Sequence, residues 1–176
     1  MNIILIGYRG SGKSAVGRKL ALRLSMKFVD IDDLIIEREA ASIDQMVKSN
    51  GWDYFRKLEK SVIEEISEED NLVIAPGGGA VLDADNVQSL KKNSFVVWLK
   101  ADHDVLHKRI AKDPETARRR PSLTNGKKGG TLEEIEEVLS ARRPFYEKAS
   151  DSAIETSGLD VDGVVEKVLE VVKRSS

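Results

Sequence analysis

Ile3-Ile4-Leu5-Ile6-Gly7-Tyr8-Arg9-Gly10-Ser11-Gly12-Lys13-Ser14 is the stretch that decides the fold. Four consecutive apolar residues suit a strand covered on both faces, and the pattern G-x-x-x-x-G-K-[ST] begins where they end. Residues Ala15–Leu24 then read as a helix, so the motif lies between a strand and a helix, the context it requires. The glycines let backbone N–H groups curl around an anion, and the helix N-terminus adds partial positive charge. In such a loop Lys13 reaches the β- and γ-phosphates and the Ser14 hydroxyl ligates Mg²⁺. A plain glycine-rich turn with a solvated lysine would need neither flank. The stretch predicts a nucleoside triphosphate site.

Outward from this motif the same strand-then-helix order repeats. Apolar runs of strand length occur at Phe28–Ile31, Leu72–Ala75, Phe95–Leu99 and, more weakly, Ala153–Thr156. Helical patterns cover Asp53–Ile66, Asp83–Leu90, His103–Ile110, Leu132–Tyr146 and Val161–Val172. This alternation predicts an α/β domain with a parallel sheet. At 176 residues the chain matches one domain, able to bury roughly 70% of its unfolded surface. It has no cysteine, which excludes disulfides, thiolate zinc sites and cysteine nucleophiles. With 28 basic and 30 acidic residues, net charge −2, no strong field selects nucleic acid or a membrane surface. No apolar run approaches the ~20 residues of a membrane span. A soluble, cytoplasmic, monomeric domain is the default expectation.

Candidate metal acids are Asp30 and Asp32, which close the run Phe28–Ile31, or Asp102 and Asp104, which follow Phe95–Leu99. Strand alternation places Asp30 and Asp32 on one side, about 6.6 Å apart. Strand carboxyl ends are where open α/β sheets bind ligands, which favours this pair, although Asp30 also suits a helix cap. Asp102 reads better as the cap of the helix after it.

Arg142 falls in the middle of the apolar stripe Ile135, Val138, Leu139, Phe145 and Tyr146, whereas Arg143 flanks it. An inward guanidinium needs a partner, either an acid of another helix or a ligand carboxylate held bidentately. Arg56 sits at the edge of the stripe Phe55, Leu58, Val62 and Ile66, where a surface pair with Glu59 is the simplest reading. Gly77-Gly78-Gly79, after the run Leu72–Ala75, forms either a flexible turn or a place where a ligand approaches the backbone. The polar stretch Lys112–Gly130, with Arg118-Arg119-Arg120-Pro121, is long for a connection and reads as a functional loop. Thr131 and Glu134 then give a capping-box signal that restarts a helix. His103 with His107, and the acid runs Glu64–Asp70 and Glu133–Glu137, read as solvated helix faces.

Six features in order resemble the shikimate kinase family over essentially the whole chain. They are the loop 7–14, Asp30-x-Asp32, Phe55-Arg56-x-x-Glu59, Gly77-Gly78-Gly79, Arg120-Pro121 and Arg142-x-Pro144-x-Tyr146. The resemblance implies a P-loop kinase fold, a three-layer sandwich around a five-stranded parallel sheet of order 2-3-1-4-5 with a mobile lid. It implies one domain over 1–176, an acceptor-binding helical region about 32–66 and a lid about 112–130. The implied reaction is transfer of the ATP γ-phosphoryl group to the 3-hydroxyl of shikimate in aromatic amino-acid biosynthesis. Carried onto this sequence, Gly10, Ser11, Gly12, Lys13, Ser14 and Ala15 hold the nucleotide phosphates, Arg109 stacks on adenine, and Arg120 closes over the phosphates. Asp32 holds the reacting hydroxyl, and Ser14 and Asp30 support Mg²⁺. Arg56 and Arg142 clamp the carboxylate, and Gly78 bonds the substrate through its backbone. This chain departs from the pattern at Ser157-Gly158-Leu159, which lacks the usual basic or proline residue. The lid entry Asp113–Arg119 is longer than usual, which leaves Arg118 or Arg119 as alternatives to share the work of Arg120, and Ser122 stands in the common Arg-Pro-Leu-Leu run.

Overall fold

Alternate residues of β1 (Asn2–Ile6) feed two different cores, because successive strand side chains point to opposite faces. Ile4 and Ile6 join one apolar cluster, and Ile3 and Leu5 join another. The computed structural model describes residues 1–113, 121–123 and 130–175. After β1 come α1 (Lys13–Leu24), β2 (Lys27–Asp30), α2 (Ile31–Glu39), α3 (Ile43–Asn50) and α4 (Trp52–Ser67). The chain continues through β3 (Leu72–Ala75), a short 3₁₀ turn (Ala80–Leu82), α5 (Ala84–Lys91), β4 (Ser94–Lys100) and α6 (His103–Ala111). The remaining described elements are α7 (Leu132–Ala149), β5 (Ser152–Glu155) and α8 (Val161–Ser175).

All strand pairings are parallel, and the order is β2-β3-β1-β4-β5, as the resemblance implied. Helices cover both faces, giving three layers. Val16, Leu20, Val165 and Val168 of α1 and α8 cover Ile3, Leu5, Val73 and Val97. Phe55, Val62, Ile66 and Tyr146 of α4 and α7 lie on the other face with Ile4, Ile74, Val96 and Trp98. A third cluster joins Tyr8 of the phosphate loop to Leu106 and Ile110 of α6 and Ile135 and Val138 of α7. None of the described helices is long and apolar enough to cross a membrane.

The structure corrects the sequence reading between residues 30 and 50. β2 ends at Asp30, whose side chain accepts from the Asp32 and Asp33 N–H groups and starts α2. Asp32 therefore belongs to the first helical turn, and the strand-alternation argument does not apply to the pair. α2 and α3 were both missing from the helical pattern. α3 opens with a full capping box, Ser42 accepting from the Gln45 N–H while the Gln45 side chain accepts from the Ser42 N–H. Asp102 occupies the N-cap position of α6 but its side chain makes no capping hydrogen bond. At α7, Thr131 accepts from the Glu134 N–H as the capping signal predicted. The Glu134 side chain is buried and turned elsewhere, so the run Glu133–Glu137 is not wholly solvated. Pro144 lies within α7, which runs through it.

Asn2 ties the sheet together at its lower edge. Its amide donates to the Glu69 carbonyl at 2.7 Å, a part-buried bond, and its oxygen accepts the Leu72 N–H at 2.9 Å in the interior. Asn2→Ala leaves the buried Leu72 N–H unpaired and should lower unfolding free energy by about 1–3 kcal/mol. Urea denaturation monitored by circular dichroism checks this, and an unchanged midpoint would contradict it.

Candidate active site

The donor side is built by the turn from β1 into α1. Gly10 and Gly12 take positive φ values of 80° and 94°, turning successive amides in one direction. Lys13 Nζ donates to the carbonyls of Gly7 at 2.8 Å and Tyr8 at 3.1 Å, which holds the ammonium within the curve of the loop. Ser14 follows on the first turn of α1 and donates its hydroxyl to Asp30 Oδ2 at 2.6 Å. The other oxygen of Asp30 caps α2. Asp30 thus serves both readings offered by the sequence, a helix cap and an acid beside the phosphate loop. A hydroxyl and a carboxylate oxygen side by side suit a hard cation. Magnesium commonly uses one or two carboxylates with phosphates and water, so no larger acid cluster is required.

Arg109 of α6 is placed against this loop. It donates to the Gly10 carbonyl at 3.4 Å and to the Thr156 hydroxyl and carbonyl at 3.1 and 3.2 Å. It therefore bridges the phosphate loop and the segment after β5, where Ser157–Leu159 begin. Arg9, also buried, donates to the Pro121 carbonyl at 3.1 Å. Arg118, Arg119 and Arg120 lie outside the described residues.

The acceptor side gathers around the turn after β3. Asp32, only 4% exposed, and Glu59, 0% exposed, both press against Gly77. A Cβ at residue 77 would lie 2.8 Å from Asp32 Oδ1 and 2.7 Å from Glu59 Oε1, so only glycine fits between the carboxylates. A Cβ at residue 79 would collide with the Arg56 guanidinium. Arg56 is held by Glu59 Oε2 at 2.5 Å and by the rings of Trp52 and Phe55, 5.4 and 5.5 Å from its guanidinium carbon. Its pair with Glu59 is real but not superficial, because the acid is entirely buried.

Arg142 is 8% exposed on the inward face of α7, and its Nη1 lies 3.4 Å from the Cβ position of Gly78. Among the described residues no carboxylate lies within ion-pair distance of it, which disfavours the structural ion pair. Arg143 points outward and pairs with Glu147. The Gly78 carbonyl accepts the Tyr146 hydroxyl at 2.6 Å. Burial pushes that hydroxyl up to about 12, so it remains a neutral donor. One hollow is lined by Asp32, Arg56, Glu59, Gly77–Gly79, Arg142, Arg9, Pro121 and Leu123.

A shikimate kinase family model matches residues 9–173. A shikimate kinase of Syntrophus aciditrophicus is 41% identical over 174 residues, spanning 96% of this chain and 89% of that protein. The chain belongs to the shikimate kinase family. Among solved structures, shikimate kinase from Acinetobacter baumannii in complex with shikimate superposes with a TM-score of 0.90 at 30% identity, covering 99% of this chain and 94% of that one. Shikimate kinase from Aquifex aeolicus gives 0.80 at 31% identity, with 99% and 98% covered. By this membership the chain is an ATP-dependent kinase with a P-loop fold.

Sequence reasoning passed over Glu59 as a site residue although the family motif contains it. The available signal was its register, since positions 55, 59, 62 and 66 share one face of α4 and the other three are apolar and buried. Arg9 and Leu123 carried no such signal, because their placement depends on contacts distant in sequence. Burial raises the Glu59 carboxyl to about 7, opposed by the Arg56 charge and assisted by nearby Asp32. Folding thus favours protonated Glu59, and the stabilisation is complete below the unfolded value near 4.5 and lost as pH rises through about 7. The unfolding free energy of wild type minus that of Glu59→Gln should therefore be smaller at pH 8 than at pH 5. Paired urea titrations read it; a difference that grows with pH would contradict the assignment.

Proposed function

We propose that this chain transfers the γ-phosphoryl group of ATP to the 3-hydroxyl of shikimate, giving shikimate 3-phosphate and ADP. The supporting observation is the contact of two glycine turns. The Gly7 carbonyl lies 3.2 Å from the Cβ position of Gly78, so the phosphate loop and the arginine-lined hollow adjoin. A donor phosphate and an acceptor hydroxyl held by these turns would be neighbours, and phosphoryl transfer asks chiefly for such positioning.

Arg56 and Arg142 form the carboxylate clamp, two guanidiniums set against adjacent glycines. The Gly78 N–H supplies a backbone donor. Asp32 takes the proton of the 3-hydroxyl as its oxygen attacks the γ-phosphorus, and the bond from that phosphorus to the bridging oxygen of ADP breaks. Lys13 neutralises charge on the transferring group, with Gly10, Ser11, Gly12, Ser14 and Ala15 cradling the phosphates. Ser14 and Asp30 would hold Mg²⁺, which supplies neutralisation of the β- and γ-oxygens. Arg109 meets the adenine, and Arg120 adds positive charge from the lid. In this reading 1–176 is one kinase domain, α2–α4 within 32–66 carry the acceptor site, and 112–130 form the lid. The protein works as a cytoplasmic monomer.

A coupled ADP-release assay with shikimate, gluconate and nucleoside monophosphates tests the reading. Turnover with shikimate alone supports it, and preference for another acceptor would overturn it. Arg142→Lys keeps the charge but loses the planar fork. It should weaken shikimate binding at least about tenfold, ~1.4 kcal/mol, with ATP binding nearly unchanged. Calorimetry showing weakened ATP and intact shikimate binding would instead move Arg142 to the nucleotide site.

A further inference from the structure

Glu134 lies in the first turn of α7 yet has 0% exposure, unusual for a carboxylate at a helix start. The capping box that the sequence announces is only half made. Thr131 accepts the Glu134 N–H at 3.3 Å, but the Glu134 carboxylate accepts three other donors among the described residues. The Ser122 hydroxyl and the Leu123 N–H reach Oε1, each at 2.6 Å, and the Gly130 N–H reaches Oε2 at 2.5 Å. Ser122 and Leu123 belong to the described segment 121–123, whose other end is held by Arg9 through the Pro121 carbonyl at 3.1 Å. This short segment is therefore tied at two points, to the phosphate loop and to α7.

The tie has a consequence for the acceptor hollow. Pro121 and Leu123 line it together with Asp32, Arg56 and Arg142. Leu123 also packs on the cluster of Tyr8, Leu106, Ile110, Ile135 and Val138. The bonds from Arg9 and to Glu134 hold Pro121 and Leu123 in place beside the hollow. Burying a carboxylate is costly unless it accepts hydrogen bonds, and here three described donors supply them. Burial pushes the Glu134 carboxyl up, but the bonds from Ser122, Gly130 and Leu123, with the nearby Arg9 charge, outweigh it and hold the group below its usual range. The side chain is thus a fixed anion.

We infer that Glu134 is a positioning residue for acceptor binding, its carboxylate fixing Pro121 and Leu123 as one wall of the hollow. The inference rests on the acceptor site proposed above. Its hydrogen bonds to Ser122 and Leu123 hold the backbone beside the hollow, so its effect on the acceptor is carried by that wall. A Gln at 134 keeps one acceptor oxygen for Ser122 and Leu123 but presents an N–H group to the Gly130 N–H, so it supports the wall only in part.

Steady-state kinetics and calorimetry on wild type, Glu134→Ala, Glu134→Gln and Ser122→Ala test this, with thermal melting as the check on folding. Glu134→Ala should raise the shikimate KM and Kd at least about tenfold while the ATP KM stays within about twofold. Glu134→Gln should fall between it and wild type, and Ser122→Ala should raise the shikimate KM by about two- to threefold. A lowered melting temperature with an unchanged shikimate KM in these variants would overturn the inference, since that is the pattern of a purely structural anchor. Should Glu134→Ala fail to fold, the Gln and Ser122→Ala variants decide by the same criterion. If wild type itself neither binds nor phosphorylates shikimate, the functional reading fails; if it does and only the variants show no change, the positioning role alone fails.

Discussion

The pairing of β1 with β3 is the constraint on which the site depends. Their parallel register sets Ile3 beside Val73 and Ile4 beside Ile74, so the chains leave the sheet together at Gly7 and Gly77. One turn curls into the phosphate loop and the other into the glycine triplet, and their backbones nearly touch at Gly7 and Gly78. A strand inserted between them would part the two turns, and a one-residue slip would reverse the faces of every β3 side chain. Parallel connections with helical crossovers are what allow strands so distant in sequence to be neighbours. Binding at the carboxyl ends of such strands follows from the same geometry.

Charge at the acceptor turn is the second constraint. Two guanidiniums and two carboxylates occupy a small, largely buried region, and none of them is isolated from all the others. Glu59 accepts a hydrogen bond from Arg56, while Arg142 faces the glycine turn without an acid partner among the described residues. An anionic ligand fits that imbalance better than a neutral or cationic one. Removing one member of a buried pair leaves an uncompensated charge, which typically costs about 3–5 kcal/mol. The three glycines matter because side chains there would push these charged groups apart.

Much of this was legible in the sequence, for identifiable reasons. The phosphate loop is a local device whose residues lie side by side, so Lys13 and Ser14 were readable from spacing. The covered strands announced themselves as continuous apolar runs, because both faces are buried. Arg142 stood out because a charge in an apolar stripe conflicts with its neighbours. The failures came where tertiary context decides. The segment Ile31–Glu39 forms α2 because Asp30 caps it, though its first residues looked like the end of a strand. Asp32 does line the hollow, but from the first turn of α2 rather than from the strand end that the spacing suggests. Glu134 read as a capping-box acid because nothing local reveals that Ser122 and Leu123 claim its oxygens. Strand order came from family resemblance rather than from any pattern in the residues.

The central claim is that the hollow beside the phosphate loop recognises a carboxylate through paired guanidiniums. The most direct measurement is calorimetric titration of wild type with shikimate and with its neutral primary-alcohol analogue, in which the carboxylate is replaced by a hydroxymethyl group. The account predicts that the analogue binds at least about 100-fold more weakly, ~2.7 kcal/mol, because both arginines lose their charged partner. Equal affinity for the two compounds would contradict it.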